Sequence, residues 1–179
     1  MDEDLIGLYE RASAWTASLV PGASKHLDAP TPCDGWDVET LMNHMLDTQR
    51  YFVGAARGTD VPLPASEPPP LIGENAIAAF DAGRAELVSA YRIPGVIEKT
   101  GPSLGIAFSD QLLHGWDLAK ATAQDATMPE GLPEKAFDVI HGQFTAEQRK
   151  GVFKPEIVVA SNASAQDKLL AYAGRDPSR

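Results

Sequence analysis

Apolar residues recur at spacings of three and four in five stretches of the chain, and each stretch is free of proline. These windows are residues 1–20, 33–61, 71–93, 103–128 and 134–154. Apolar side chains at this spacing share one face of an α-helix, and proline is disfavoured in helix interiors. The pattern therefore predicts a mainly helical protein with four principal helices and a smaller fifth.

A long connection separates the second and third windows. The stretch from Arg57 to Ile72 holds five prolines and shows no periodic apolar pattern. Short links force neighbouring helices to run antiparallel, whereas a long link allows two helices to run in the same direction. The sequence therefore predicts a crossover between the second and third helices.

Shorter features mark where the elements begin and end. Asp37 stands directly before the second apolar stripe and is predicted to cap that helix. Pro133 suits the first turn of the fifth helix. The turn-rich segment Ile93–Phe108 could hold a short pair of strands, and Pro155–Ala160 a single short strand. Asp167–Ala173 is predicted to form a last helical turn or two.

Charge and length narrow the range of functions. The 179 residues suit one domain, 1–179, and carry a formal net charge of −10. An acidic chain is not attracted to phosphate backbones or anionic lipid, so neither nucleic acid nor a membrane is an expected partner. The acidic start MDEDLIGLYE is unlike a signal peptide, and no apolar stretch reaches membrane-spanning length. One cysteine cannot form an internal disulfide, so the expected location is the cytoplasm.

The segment SDQLLHGWDLA places polar groups on one side of the fourth helix. Asp110 and His114 lie one turn apart, and Asp117 falls on the same side. Helical bundles bind metal ions with this spacing, because side chains four residues apart can reach one ion. The alternative interpretation is a solvated polar face with a surface histidine between two carboxylates.

His44 lies on the second helix, off the centre of the apolar stripe that contains Met42 and Met45. The two methionines are predicted to lie in the core. His44 is therefore not a simple core histidine, and lies either on the surface or on a flank that a neighbouring helix approaches. His26, in a loop, and His141, in the fifth helix, are predicted to be bystanders.

Cys33 lies in TPCDGWD, in a turn directly before the second helix. A thiol near a helix N-terminus can have a lowered pKa, which would suit a nucleophile or a fourth metal ligand. The alternative is a small buried side chain in a tight turn. The sequence contains no nucleophile elbow, Gly-rich phosphate loop, CxxC pair or HExxH motif.

Two stretches taken together, TPCDGWDVETLMNH at 31–44 and LLHGWDLAKAT at 112–122, resemble the actinobacterial metal-binding family of the DinB-like superfamily. That family is related to the N-terminal domain of mycothiol-dependent maleylpyruvate isomerase. The end of the chain, QDKLLAYAGRDP at 166–177, also resembles the close of such chains. The resemblance covers nearly the whole length. It implies an all-α DinB-like four-helix bundle with a long crossover between helices 2 and 3, plus short additional C-terminal elements.

The resemblance also implies a divalent metal ion with three protein ligands, which map to His44, Asp110 and His114. Two histidines and one carboxylate with open positions are typical of a catalytic metal site. Zinc is the expected ion, with nickel and iron as alternatives. Relatives carry Glu or His at the position of Asp110, and the shorter reach of Asp leaves direct and water-mediated binding as alternatives.

The activity that the resemblance implies is that of a thiol-dependent transferase or isomerase acting on a small electrophile. The metal would favour the thiolate of a low-molecular-weight thiol of the mycothiol type. Maleylpyruvate isomerases carry a second domain that completes the site, and we expect this chain to lack it. In a homodimer, the partner chain could complete the site instead. The alternatives are a non-catalytic metal- or ligand-binding dimeric bundle and a metal-dependent hydrolase.

Three further residues of these motifs have roles that the sequence leaves open. Trp36 and Trp116 each stand in a GWD triplet, and Asp117 closes the second triplet. Asp117 could orient His114 by a hydrogen bond to the ring nitrogen that does not bind the metal, or cap the structure near Gly115. No catalytic residue beyond the metal ligands is assigned.

Overall fold

The computed structural model describes residues 4–150 and 153–178, which contain eight helical segments and no β-strand. The segments are α1 (Leu5–Ala23), α2 (Val38–Arg57), α3 (Ala76–Tyr91), α4 (Val96–Thr100), α5 (Ser103–Ala121), α6 (Leu132–Ile140), α7 (Ala146–Arg149) and α8 (Ala165–Tyr172). The predicted all-α fold class is confirmed. Among the described residues, no helix combines the length and the hydropathy that a membrane span requires.

The ends of α2 follow the capping signals in the sequence. The Asp37 side chain accepts a hydrogen bond of 2.8 Å from the backbone N–H of Thr40, as predicted for an N-cap. Gly58 ends the helix with a φ of 69°, a left-handed conformation that glycine adopts without steric cost. In α1, by contrast, the helix continues through Pro21, beyond the window that we expected to contain it. Pro21 lies in the last turn, where one missing N–H does not break the helix.

The long crossover joins two helices that run in the same direction. The middle of α2 meets the middle of α3, where a Cβ on Gly83 would overlap the Gln49 side chain. Farther along both helices, Arg57 forms a 2.7 Å ion pair with Glu86. Contacts that advance together along both chains identify parallel helices, so the predicted crossover between α2 and α3 is confirmed.

The helices α1 and α5 form the second parallel pair. The Thr16 hydroxyl donates to the Gln111 carbonyl at 2.9 Å. Farther along both parts of the chain, the side-chain amide of Gln124, just beyond the end of α5, donates to the Leu19 carbonyl at 3.0 Å. With α2 and α3 running the opposite way, the four long helices form the bundle that places residues of α2 opposite residues of α5.

The core divides into two clusters at opposite ends of the bundle. One lies at the N-terminal ends of α1 and α5, and includes Tyr9, Phe108 and Leu112. The other contains Met42 and Met45, both fully buried as predicted. Cys33 and Trp36, from the connection between α1 and α2, pack against the edge of this second cluster. These contacts bring the connection close to the polar face of α5.

Neither of the two segments that could hold strands forms one. Within Ile93–Phe108, the chain forms the short helix α4 and then enters α5. Residues 155–160 have no regular structure: a strand needs a paired neighbour, and this segment makes one backbone hydrogen bond to α8, from Ile157 to Ala171. The predicted helical turns at Asp167–Ala173 are confirmed as α8. The fifth predicted helix is α6, shorter than its window, with Pro133 in its first turn.

Candidate metal centre

The structure brings together the three residues that the sequence singled out as ligands. His44 lies on α2, and Asp110 and His114 lie one turn apart on the face of α5 that meets it. One ligand atom from each residue lies within 4.8 Å of the others. The Nε2 atom of His114 is 3.5 Å from Oδ1 of Asp110. His44 therefore lies on a flank that a neighbouring helix approaches, which was one of the two alternatives for it.

These three side chains fit a divalent cation. The Nδ1 atom of His44 and the Oδ2 atom of Asp110 are buried and have no hydrogen-bond partner. Buried polar atoms normally have a hydrogen-bond partner, so two unpartnered atoms on residues of one cluster suit the binding of a cation. Two imidazoles and one carboxylate are a donor set that zinc and its neighbours in the first transition series accept, and three ligands leave coordination positions open.

Burial and charge shift the pKa values of the two histidines in opposite directions. Burial, and then the positive charge of His114, lower the pKa of His44 to about 3. Burial alone would also lower the pKa of His114. The negative charge of Asp110 and the hydrogen bonds with Asp117 and Cys33 have the larger effect, and they raise this pKa to about 10. Burial raises the pKa of Asp110 as well, although His114 acts to lower it. His44 is thus ready to bind a cation, whereas His114 must first lose a proton.

Asp117 lies behind His114, fully buried, and is held by the tail of the chain. Its Oδ2 atom is 3.0 Å from Nδ1 of His114. Arg175 donates to it from Nε to Oδ1 at 2.9 Å and from Nη2 to Oδ2 at 2.6 Å. Burial alone would raise the pKa of Asp117, but Arg175 and His114 hold it well below its usual range. Of the two roles considered for Asp117, the structure shows the contact with His114.

Cys33 contacts both Asp117 and His114. Its Sγ atom lies 3.3 Å from Oδ2 of Asp117 and 3.9 Å from Nδ1 of His114. Ligand-type atoms of these three residues form a second cluster within 4.8 Å. The guanidinium of Arg175 already neutralises the shared carboxylate, however, and would repel a metal ion there. The second cluster therefore supports the first site and does not form another.

Trp36 covers the two histidines. Its ring lies 4.6 Å from the ring of His44 and 6.4 Å from that of His114, measured between centroids. Its indole N–H donates to the carbonyl of Ser66 in the crossover at 3.0 Å. Asn43 fixes the crossover farther on, by accepting from the backbone N–H of Ile72. The crossover and the turn before α2 together close one side of the centre.

The other histidines and Trp116 lie outside the ligand cluster. His26 and His141 are exposed and take no part in the cluster. Trp116 lies in the core, 4% exposed, with the Lys120 ammonium 5.7 Å from its ring centroid. Sequence reasoning missed Arg175 as a functional residue. The GRDP stretch that contains it was noticed as a motif, but nothing in its spacing indicated a contact 58 residues away.

Comparison with known proteins shows the family to which the chain belongs. Residues 9–119, which include His44, Asp110 and His114, match the mycothiol maleylpyruvate isomerase N-terminal domain. Two uncharacterized proteins, from two strains of Mycobacterium tuberculosis, are each 26% identical over 188 residues, covering 96% of this chain and 98% of the relative. No solved structure matches the chain significantly. The match spans more than half of the chain, and the chain belongs to the family of the mycothiol maleylpyruvate isomerase N-terminal domain.

Proposed function

We propose that this protein binds a divalent cation through His44, Asp110 and His114, and that the site activates a low-molecular-weight thiol of the mycothiol type. The thiol attacks a small electrophile, in a transferase or isomerase reaction. The observation that carries the proposal is the hydrogen bond between Asp117 and Nδ1 of His114. It leaves Nε2 of His114 on the side of Asp110, within the cluster formed with His44.

The ligand set determines what a bound ion would contribute. A divalent cation held there would lower the pKa of a thiol that occupies an open position, so that the thiolate is available near neutral pH. Zinc is the ion we propose first, because imidazole and carboxylate ligands suit it. Nickel and iron share this preference for nitrogen and oxygen donors.

The surrounding residues of the chain orient and shield the ligands. Arg175 and Asp117 fix the ring of His114, and the carboxylate makes the imidazole a better donor. Trp36 lies over both imidazoles and restricts solvent on that side. Cys33 is occupied by its contact with Asp117, so we propose that the reacting thiol comes from a diffusible molecule.

The first test is the metal content of the purified protein. We expect about one divalent cation per chain, lost in His44→Ala and in His114→Ala because each removes one of three protein ligands. The controls are His26→Ala and His141→Ala, which remove exposed histidines outside the cluster. Both controls should keep their metal. Stoichiometric metal in both ligand variants would contradict the site.

The second test concerns the reaction. Metal-loaded protein is incubated with a low-molecular-weight thiol and a panel of small electrophiles, and the loss of free thiol and the formation of adduct or isomer are followed. We expect turnover that a chelator and His114→Ala abolish. A protein that binds metal but turns over no thiol and electrophile pair would favour a non-catalytic metal-binding bundle. Chelator-sensitive hydrolysis without thiol would favour a hydrolase.

A further inference from the structure

A cavity of about 620 Å³ opens on the far side of Arg175 from the metal ligands. Three parts of the chain line it: the connection before α2, the C-terminal half of α5, and the segment that runs from residue 154 to residue 176. Its apolar lining includes Pro30, Pro32, Trp116 and Ile157. Cavities of this volume and character are typical of small-molecule sites.

Three cationic side chains, Lys120, Lys154 and Arg175, converge on this cavity, although the chain as a whole is strongly acidic. Lys120 makes no ion pair within residues 4–150 and 153–178, and its ammonium lies over Trp116. Lys154 donates to the Pro32 carbonyl at 3.0 Å and pairs with Asp34 at 2.7 Å, but the Asp34 side chain is 88% exposed. An exposed ion pair contributes little and exchanges readily for another anion. Two cations are therefore available to a ligand.

Arg175 presents a third donor from the wall between the cavity and the metal centre. Its Nε and Nη2 atoms are committed to Asp117. Its Nη1 atom makes no hydrogen bond within the described part of the chain, and the residue lines the cavity. A guanidinium carries five N–H donors in a planar fork, so one edge can hold Asp117 while another edge binds a second acceptor.

We propose that this cavity binds a small organic monoanion, a carboxylate on a compact apolar body. The carboxylate lies between Lys120 and Arg175, and the apolar body packs on Trp116 and the prolines. Asp34 and Asp176 also line the cavity. Their negative charges disfavour polyanions and select for a single charge. The site is separate from the metal ligands, so the proposal goes beyond the proposed function and does not depend on it.

The test uses the full chain and benzoate as the probe. The chain has three tryptophans, so its indole N–H signals form a small set in a ¹H–¹⁵N spectrum. Benzoate should produce a saturable shift of the Trp116 signal, both in metal-free and in metal-loaded protein. At about pH 8, benzamide, which lacks the charge, and inorganic phosphate, which is then largely doubly charged, should bind more weakly, each by about fivefold or more.

Variants decide where the probe binds. Lys120→Gln should weaken benzoate binding about fivefold or more, because it removes the unpaired cation. The control, Lys99→Gln, changes an exposed lysine next to α2's C-terminal Gly58, and should leave binding unchanged. Equal binding by wild type and Lys120→Gln would overturn the proposal. So would equal binding of benzamide, the absence of a saturable Trp116 shift, or a shift confined to Trp36, which reports the metal centre.

Discussion

The Oδ2 atom of Asp117 lies 3.0 Å from Nδ1 of His114, and this contact decides which nitrogen of the imidazole remains for a cation. An imidazole that donates Nδ1–H to a carboxylate keeps a lone pair on Nε2 and is fixed in orientation. Arg175 holds the carboxylate from behind with two of its nitrogens. Arg175, near the C-terminus, is thus connected to His114 through the carboxylate of Asp117.

Replacing Asp117 by Asn should weaken metal binding by roughly 10–100-fold, as expected for the partner of a ligating histidine. It should also lower the free energy of unfolding by about 3–5 kcal/mol, because Arg175 loses the charge that pairs with it in a buried position. Chelator competition measures the first effect and urea denaturation the second. Asp138→Asn, at an exposed position of α6, is the control and should change neither. Wild-type metal affinity in Asp117→Asn would refute the orienting role.

Metal binding should release about one proton per chain near neutral pH. In the cation-free protein the pKa of His114 is about 10, so this imidazole is protonated and must lose its proton to bind. The pKa of His44 is about 3, so it is already neutral and releases none. Affinity should therefore fall as the pH is lowered from about 10 towards neutrality, by about tenfold per pH unit.

Calorimetry in two buffers with different ionisation enthalpies measures this proton release. The apparent binding enthalpies should differ by about one buffer ionisation enthalpy per bound cation. Identical enthalpies in the two buffers would mean that no proton leaves, and that His114 is neutral before the cation binds.

Replacing Cys33 by Ala should leave the metal in place. The thiol contacts Asp117 and the Nδ1 side of His114, not the Nε2 atom that faces Asp110, so its loss should cost about 0.5–1.5 kcal/mol of unfolding free energy, as for one hydrogen bond. Thiol-dependent turnover, where the wild type shows it, should persist because the reacting thiol is diffusible. If Cys33→Ala lost metal as completely as His114→Ala, Cys33 would have to be a ligand.

The bundle could be predicted from the sequence because its signals are local. Periodic apolar positions and proline-free windows locate the four long helices, and the proline-rich stretch from Arg57 to Ile72 marks the crossover. The sequence could not decide whether Ile93–Phe108 and Pro155–Ala160 form strands, because a strand requires a paired neighbour. Residues 155–160 have no regular structure and make one backbone hydrogen bond to α8, and no strand lies beside them in the described part of the chain.

The candidate site was predictable only where its residues share an element. Asp110 and His114 lie four apart on one helix, so spacing alone places them together. His44 could be predicted as a ligand only from the family resemblance, because the apolar periodicity left it either on the surface or on a flank that a neighbouring helix contacts. Arg175 is separated from Asp117 by 58 residues and lies after the last helix, and no local pattern encodes that contact. Cys33 and Trp36 likewise reach the site through the tertiary fold.

The position next to His114 offers a test of how closely α5 must approach α1. A Cβ at Gly115 would lie 2.5 Å from Cζ3 of Trp15 and 2.8 Å from Oγ1 of Thr16. Gly115→Ala should therefore push the two helices apart and cost about 1–3 kcal/mol of unfolding free energy. Helix propensity acts in the opposite direction, since Ala is favoured over Gly by about 1 kcal/mol. The sign of the measured change therefore shows whether packing or propensity dominates.

The matched control is Ala82→Gly, at an exposed position of α3, which measures the propensity term without a packing change. Urea denaturation gives both stabilities, and chelator competition reports whether the displaced His114 still binds metal. We expect Gly115→Ala to lose stability and to bind the cation more weakly, because moving α5 changes the distance from His114 to His44. A stabilised Gly115→Ala with wild-type metal affinity would show that the helices can separate without disturbing the centre.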